Sequence, residues 1–195
     1  GADRLLTVDL HAGQIQGFFN IPVDELTALS LLSGYFKEKR IPNLTVVATD
    51  GGGAKGARRM ADRLDAPLAI VEKRRLGNDE KVEALTVIGD VEGQNVLIVE
   101  DEVLTGGTLV TTAEVVIQHG AKAVYACATH PILAGPAVER IEKAPIKELV
   151  FTDTIPIPPE KMLPNFTVLS VAPLLGEALR RIHTGQSVGA LFNGH

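Results

Sequence analysis

Short runs of Val, Ile, Leu and Ala, each closed by turn-forming residues, recur along the chain. They predict strands over 5–10, 44–49, 68–72, 85–90, 95–99, 123–129, 148–152 and 167–170. Between them lie stretches whose apolar residues fall three and four apart, which predict helices over 24–39, 55–64, 108–119, 134–142 and 174–182. Asp24 or Thr27 can cap the first of these, and Gly120 stops the third. Strand alternating with helix is the mark of an α/β fold, a mostly parallel sheet flanked by helices. The strands are apolar at nearly every position, as a sheet covered on both faces requires. The run 85–90, followed by Gly93, is expected as an antiparallel addition.

Two breaks interrupt the pattern. Residues 72–81 are densely charged and contain Gly77-Asn78-Asp79, which predicts a solvated, mobile loop. Residues 156–164 hold four prolines and predict a stiff connector. The chain opens on Gly1 and is already in a strand by Leu5, so an absent upstream part is expected.

Composition narrows the function. The 195 residues are 45% hydrophobic and carry a formal net charge of −5, enough apolar material for a packed core. An acidic chain has no global attraction for nucleic acid or an anionic membrane, so any phosphate site must be local. Cys127 is the single cysteine, which excludes an intrachain disulfide and a cysteine-rich zinc site. No apolar run has the length of a membrane helix, and the default compartment is the cytoplasm.

The most informative stretch is the strand 95–99, which runs into Glu100 and Asp101 and then into Thr105-Gly106-Gly107-Thr108 at a helix start. Ligands of open α/β sheets bind outside the carboxyl ends of strands. The glycines let backbone N–H groups approach a phosphate, the helix start favours its charge, and the threonine hydroxyls add donors. The carboxylates suit sugar hydroxyls, or Mg²⁺ held through water. Together these parts describe a pocket for a ribose bearing a 5-phosphate. A second glycine turn, Asp50-Gly51-Gly52-Gly53, follows the strand 44–49 and exposes N–H groups able to cradle a diphosphate; Asp50 can cap the helix behind it. Lys73 and Arg75 are ordinary surface charges or, on a closing loop, cations that stabilise phosphoryl transfer.

The acid pair and Thr-Gly-Gly-Thr loop resemble the PRPP loop of the type I phosphoribosyltransferase fold. Asp9-Leu10-His11-Ala12 with Gln14-Ile15-Gln16-Gly17-Phe18-Phe19, Lys73-Arg74-Arg75, Gly89-Asp90-Val91-Glu92-Gly93, Ala128-Thr129-His130 and Thr152-Asp153-Thr154-Ile155-Pro156 are similar, in order and spacing, to the ribose-phosphate pyrophosphokinase (PRPP synthetase) family. The resemblance covers the carboxyl-terminal three-fifths or so of that family. It implies transfer of the diphosphoryl group of Mg·ATP to ribose 5-phosphate, giving PRPP and AMP. It gives Glu100, Asp101, Thr105, Gly106, Gly107 and Thr108 to ribose 5-phosphate, and His11, Asp50, Gly51, Gly52 and Gly53 to the diphosphate of ATP. His11 and Asp50 would lie at Mg²⁺, and Lys73 and Arg75 would be catalytic. The resemblance also implies a homo-oligomer, for which Phe18, Phe19, Ile21, Pro22 and Val23 offer an apolar surface.

On this basis residues 1–22 are the tail of an upstream phosphoribosyltransferase-like domain. Residues 23–165 are the domain with the ribose phosphate site, and 166–195 a terminal strand and helix packing back on the upstream part. Two residues depart from the family pattern. Leu104 stands where an Asp usually precedes the first Thr, and Glu100 stands where an Asp is usual. The competing assignments are a phosphoribosyltransferase that consumes PRPP and a non-catalytic phosphate-binding homologue.

Overall fold

The computed structural model describes residues 1–75 and 83–191. Strand β1 (Leu5–Val8) pairs in parallel with β2 (Val23–Leu26), and the two form a separate small sheet. Helix α1 (Leu29–Lys39) then leads to β3 (Leu44–Ala48), α2 (Ala54–Leu64), β4 (Leu68–Arg75) and β5 (Glu83–Ile88). Next come β6 (Asn95–Glu102), α3 (Gly107–Gln118), β7 (Ala123–His130), α4 (Ala137–Lys143), β8 (Ile146–Thr152), β9 (Phe166–Leu169) and α5 (Ala172–His183). Strands β3 to β9 form one seven-stranded sheet in the order β5-β4-β3-β6-β7-β8-β9. All its pairs are parallel except β4 with β5. The antiparallel arm is thus where the sequence places it.

The apolar strands are apolar because each feeds two cores. Val96 and Ile98 of β6 join α3 and α4 on one face, with Leu109, Ala113, Val116 and Ile141. Leu97 and Val99 join α1 and α2 on the other, with Leu32, Phe36, Ala57 and Met60. Cys127 is fully buried in the second core, and burial pushes its thiol pKa up, so it stays a protonated apolar filler.

The first predicted helix starts late. Residues 23–26 are strand, because Val23 to Leu26 pair with Leu5 to Val8. Their polar positions are used: Asp24 pairs with Arg4, and the Glu25 carboxylate accepts the Leu10 N–H at 3.0 Å and the Gln16 side-chain amide at 2.6 Å. Asp24 therefore caps nothing, whereas the Thr27 hydroxyl accepts the Leu29 N–H at 3.2 Å. The charged run is also corrected at its start. Residues 72–75 continue β4 as strand, paired with β5 from Thr86 back to Glu83, and only the remainder of the predicted loop, 76–81, lies outside the described residues. Strand β9, assigned by sequence to a terminal segment, pairs with β8 at the sheet edge.

One glycine ties the arm to the sheet. Gly89, just past β5, has φ +109°, and a Cβ there would lie 2.8 Å from Ala69 Cβ and 2.9 Å from Ala69 Cα. We expect Gly89→Ala to cost about 2 kcal/mol through strain and overpacking. A urea unfolding midpoint equal to that of the wild type would contradict this.

Candidate functional site

From β3 the sheet grows in one direction through β4 and β5, and from β6 in the other through β7, β8 and β9. The boundary between β3 and β6 is the topological switch point, where helices leave to opposite sides and a crevice opens at the carboxyl ends of the strands. A cavity of about 260 Å³ lies there. It is lined by Thr49 and Asp50 after β3, by Glu100 to Glu102 at the end of β6, by the loop 103–108, and by His11. A second cavity of about 530 Å³ shares His11, Asp50, Glu100 and Asp101 with it and adds Gly52, Gly53, Thr129 and Arg59 over an apolar floor that includes Leu29, Leu32 and Met60.

The loop is built to present donors. Gly106 has φ +71°, a left-handed turn that tips the chain into α3 at Gly107. A side chain at Gly106 would press on the Ala137 carbonyl and Ile141, both 3.4 Å from its Cβ position. Among the described residues the N–H groups of Thr105, Gly106, Gly107 and Thr108 have no protein acceptor. Unpaired amides at a helix start are an anion-binding arrangement.

Opposite the loop stand the acids. Burial pushes the Glu100 carboxyl up to about 7, helped by the charges of Asp101 and Asp50 and opposed by a hydrogen bond from Thr49 and the charge of His11. Asp101 accepts the Glu102 N–H on one oxygen at 2.8 Å and meets His11 Nδ1 on the other at 2.7 Å. That hydrogen bond, and then the charges of Asp101 and Glu102, raise the pKa of the exposed His11. The structure thus joins His11 to the acids across ninety positions of sequence.

The glycine turn after β3 behaves as a cap: Asp50 Oδ1 accepts the Gly53 N–H at 2.7 Å ahead of α2. Its carboxylate still faces both cavities. Gly52 and Gly53 line the larger one, while Gly51 lines neither. The backbones of Lys73 and Arg75 lie in the last residues of β4, paired with Leu85 and Glu83.

Sequence reasoning missed the residues that fasten this site. Asp9 has φ +40°, a strained conformation for a non-glycine residue. Its carboxylate accepts the Ala28 N–H at 2.9 Å and the Thr129 hydroxyl at 2.8 Å. His130 Nε2 lies 3.0 Å from both the Val8 and the Asp9 carbonyl oxygens, so that nitrogen carries a proton and donates. His130 Nδ1 lies 2.9 Å from the Thr154 hydroxyl. These bonds hold β1, and with it His11, over the sheet. Within the sequence the signals were the motifs Asp9-Leu10-His11-Ala12, Ala128-Thr129-His130 and Thr152-Asp153-Thr154-Ile155-Pro156, none of which shows that these residues meet.

No three acidic, imidazole or thiol side chains among the described residues cluster closely enough to cage a metal. The donor set still fits Mg²⁺, which is held through one or two carboxylates together with waters and substrate phosphates. Asp50 and Asp101 supply such oxygens at the boundary of the two cavities.

A parallel sheet with an antiparallel arm and an acid-ended strand feeding a glycine loop defines the type I phosphoribosyltransferase fold. In keeping with this, adenine phosphoribosyltransferase of Giardia lamblia superposes with a TM-score of 0.51 at 21% identity, covering 64% of this chain and 77% of the other, a likeness of fold alone. Residues 75–193 match the family of the phosphoribosyl synthetase-associated domain, and the chain belongs to that family. It is 51% identical over 193 residues to the ribose-phosphate pyrophosphokinase of Oceanobacillus iheyensis and 47% identical to that of Bacillus subtilis, with 99% of this chain covered in each case. The chain spans 61% of the length of both relatives. The phosphoribosylpyrophosphate synthetase structure from Mycobacterium smegmatis superposes with a TM-score of 0.87 at 39% identity, over 95% of this chain and 60% of that one.

Proposed function

We propose that this chain carries the ribose 5-phosphate and diphosphate side of a ribose-phosphate pyrophosphokinase, which joins ATP and ribose 5-phosphate to give PRPP and AMP. The observation that carries this reading is the convergence of the acid pair, the donor loop, Asp50 and His11 on one cavity at the switch point. In this reading Thr105, Gly106, Gly107 and Thr108 hold the 5-phosphate, and Glu100 and Asp101 order the ribose hydroxyls. Asp50, Gly52, Gly53 and His11 face the diphosphoryl group from the adjoining cavity, with Gly51 shaping the turn. Lys73 and Arg75, whose side chains lie outside the described residues, keep the catalytic role that the family resemblance implies.

The 1-hydroxyl oxygen attacks the β-phosphorus as the bond from that phosphorus to the α-phosphate oxygen breaks; AMP leaves with that oxygen, and the hydroxyl proton passes to solvent. Positioning and charge stabilisation supply most of the catalysis in such a transfer. Asp50 and His11 would hold Mg²⁺, which would supply neutralisation of phosphate charge there. The setting is cytoplasmic and the partners are ATP and ribose 5-phosphate rather than nucleic acid or membrane. No described helix is long and apolar enough to cross a membrane. A homo-oligomer is supported by Phe18, 85% exposed, beside Phe19 and Ile15.

Leu104 favours a second reading, in which the site binds without turnover. It lines the cavity and is 47% exposed, yet its side chain offers the sugar no hydrogen bond. Calorimetric titration of ribose 5-phosphate with Mg²⁺ tests the common ground. We expect saturable binding that weakens at least about tenfold in Thr105→Ala/Thr108→Ala. Absence of binding by a folded wild-type sample would overturn both readings, and AMP release on adding ATP would decide for the first.

A further inference from the structure

The donor loop faces the cavity with its N–H groups because its carbonyls are held elsewhere. The Val103 carbonyl accepts the Leu133 N–H at 3.0 Å, and the Leu104 carbonyl accepts the Ala134 N–H at 2.8 Å. The Thr105 carbonyl accepts from Arg140 Nη1 at 3.2 Å, and the Gly106 carbonyl accepts the Val110 N–H at 3.0 Å. In a trans peptide the N–H points away from the C=O of the same unit. Fixing these four carbonyls therefore turns the N–H groups of residues 104 to 107 to the other side.

The tether is the segment between β7 and α4. It is itself held under strain, since the buried Leu133 has φ +49°. Every other bond in the set is made by backbone. Arg140 is the one side chain, and it carries a charge. Its Nη1 also lies 3.6 Å from the Cβ position of Gly107, so the guanidinium sits against the loop. The cavity's charged lining is otherwise the acids Asp50, Glu100, Asp101 and Glu102, with His11 the only basic side chain on its wall among the described residues. An anion entering it meets repulsion unless a cation stands close to the donor loop.

We propose that Arg140 is a positioning residue of the phosphate loop: it turns the Thr105–Gly106 peptide so that the Gly106 N–H faces the cavity, and it lends the loop positive charge. The proposal rests on the reading of residues 105–108 as the 5-phosphate site. Sequence gave no sign of it, because Arg140 and Thr105 stand 35 positions apart.

The test is amide NMR of the full chain titrated with inorganic phosphate, following Gly106 and Gly107, alongside ribose 5-phosphate calorimetry. The wild type should show saturable shifts of both amides. Arg140→Met should weaken both titrations by about tenfold, with the unfolding midpoint little changed because the side chain is exposed. Its Gly106 resonance should already be displaced in the free protein, a change that general destabilisation would not confine to this loop. Arg140→Lys, which keeps a charged donor, should bind within about threefold of wild type. Wild-type shifts together with unchanged affinity in Arg140→Met overturn the proposal and leave the phosphate site standing. No saturable shift in the wild type overturns the site and the proposal together. If Arg140→Met does not fold, Arg140→Lys decides: binding near the wild-type level supports the role, and a normal free-state spectrum with lost binding overturns it.

Discussion

Glu100→Gln is expected to raise stability by up to about 3 kcal/mol at pH 8 and to change it little near pH 4. Burial at the end of β6 holds the Glu100 carboxyl near 7, against an ordinary value of 4.5. Below 4.5 the group is protonated in both folded and unfolded chains, and glutamine resembles the neutral acid. Between 4.5 and 7 the folded chain keeps the proton while the unfolded chain releases it. The unfolded state then binds fewer protons, and stability falls by about 1.4 kcal/mol per pH unit. Above 7 both states are ionised and the full cost of a buried charge is present. Glutamine bears no charge and escapes it. Urea unfolding of the two proteins from pH 4 to pH 8 provides the check, since they differ only in the group at position 100. Curves that stay parallel across that range would refute the buried-acid account.

The same cost has a functional side. A carboxylate that destabilises the free protein is poised for a ligand that relieves it, such as sugar hydroxyls or a cation. In the proposed function, binding to the acid pair near neutral pH should therefore release a proton from Glu100. In that reading, stability is given up at one position of the switch point so that the site is ready to bind.

What could be read from the sequence follows from how local each feature is. The central strands β3, β6, β7 and β8 were legible because both faces of each are buried and leave an apolar run. The acid pair, the Thr-Gly-Gly-Thr loop and the glycine turn at Asp50 were legible because each is contiguous. Strand β2 was not. Its Asp24 and Glu25 look like a helix start, and only pairing with β1 and the bonds to Arg4, Leu10 and Gln16 make them strand residues. Strand β4 hid its last residues for a similar reason, as pairing with β5 overrides a basic composition that suggests a loop. The supports of the site were the least legible of all. Arg140 meets Thr105, Thr129 meets Asp9 and His130 meets Val8 across separations that no local pattern encodes.

The last of these contacts carries the second large effect. His130→Ala is expected to cost about 3 kcal/mol, because it leaves the Val8 and Asp9 carbonyls without their donor and opens a gap between β1 and the sheet. The loss should be felt unevenly. Among the described residues strand β1 pairs only with β2, and a two-stranded parallel sheet has little stability of its own. The bonds of His130 and of the Asp9 carboxylate supply much of what fixes it to the larger sheet. With His130 gone, Asp9 has less reason to remain at φ +40°, and a relaxed Asp9 would swing His11, two residues on, away from Asp101. Hydrogen exchange should then show lost protection at Leu5 to Val8, while β6 and β7 keep theirs. Uniform loss across both sheets would mean that His130 is an ordinary core residue. Confined loss would mean that one imidazole links the strained turn at Asp9 to the position of His11 over the acid pair.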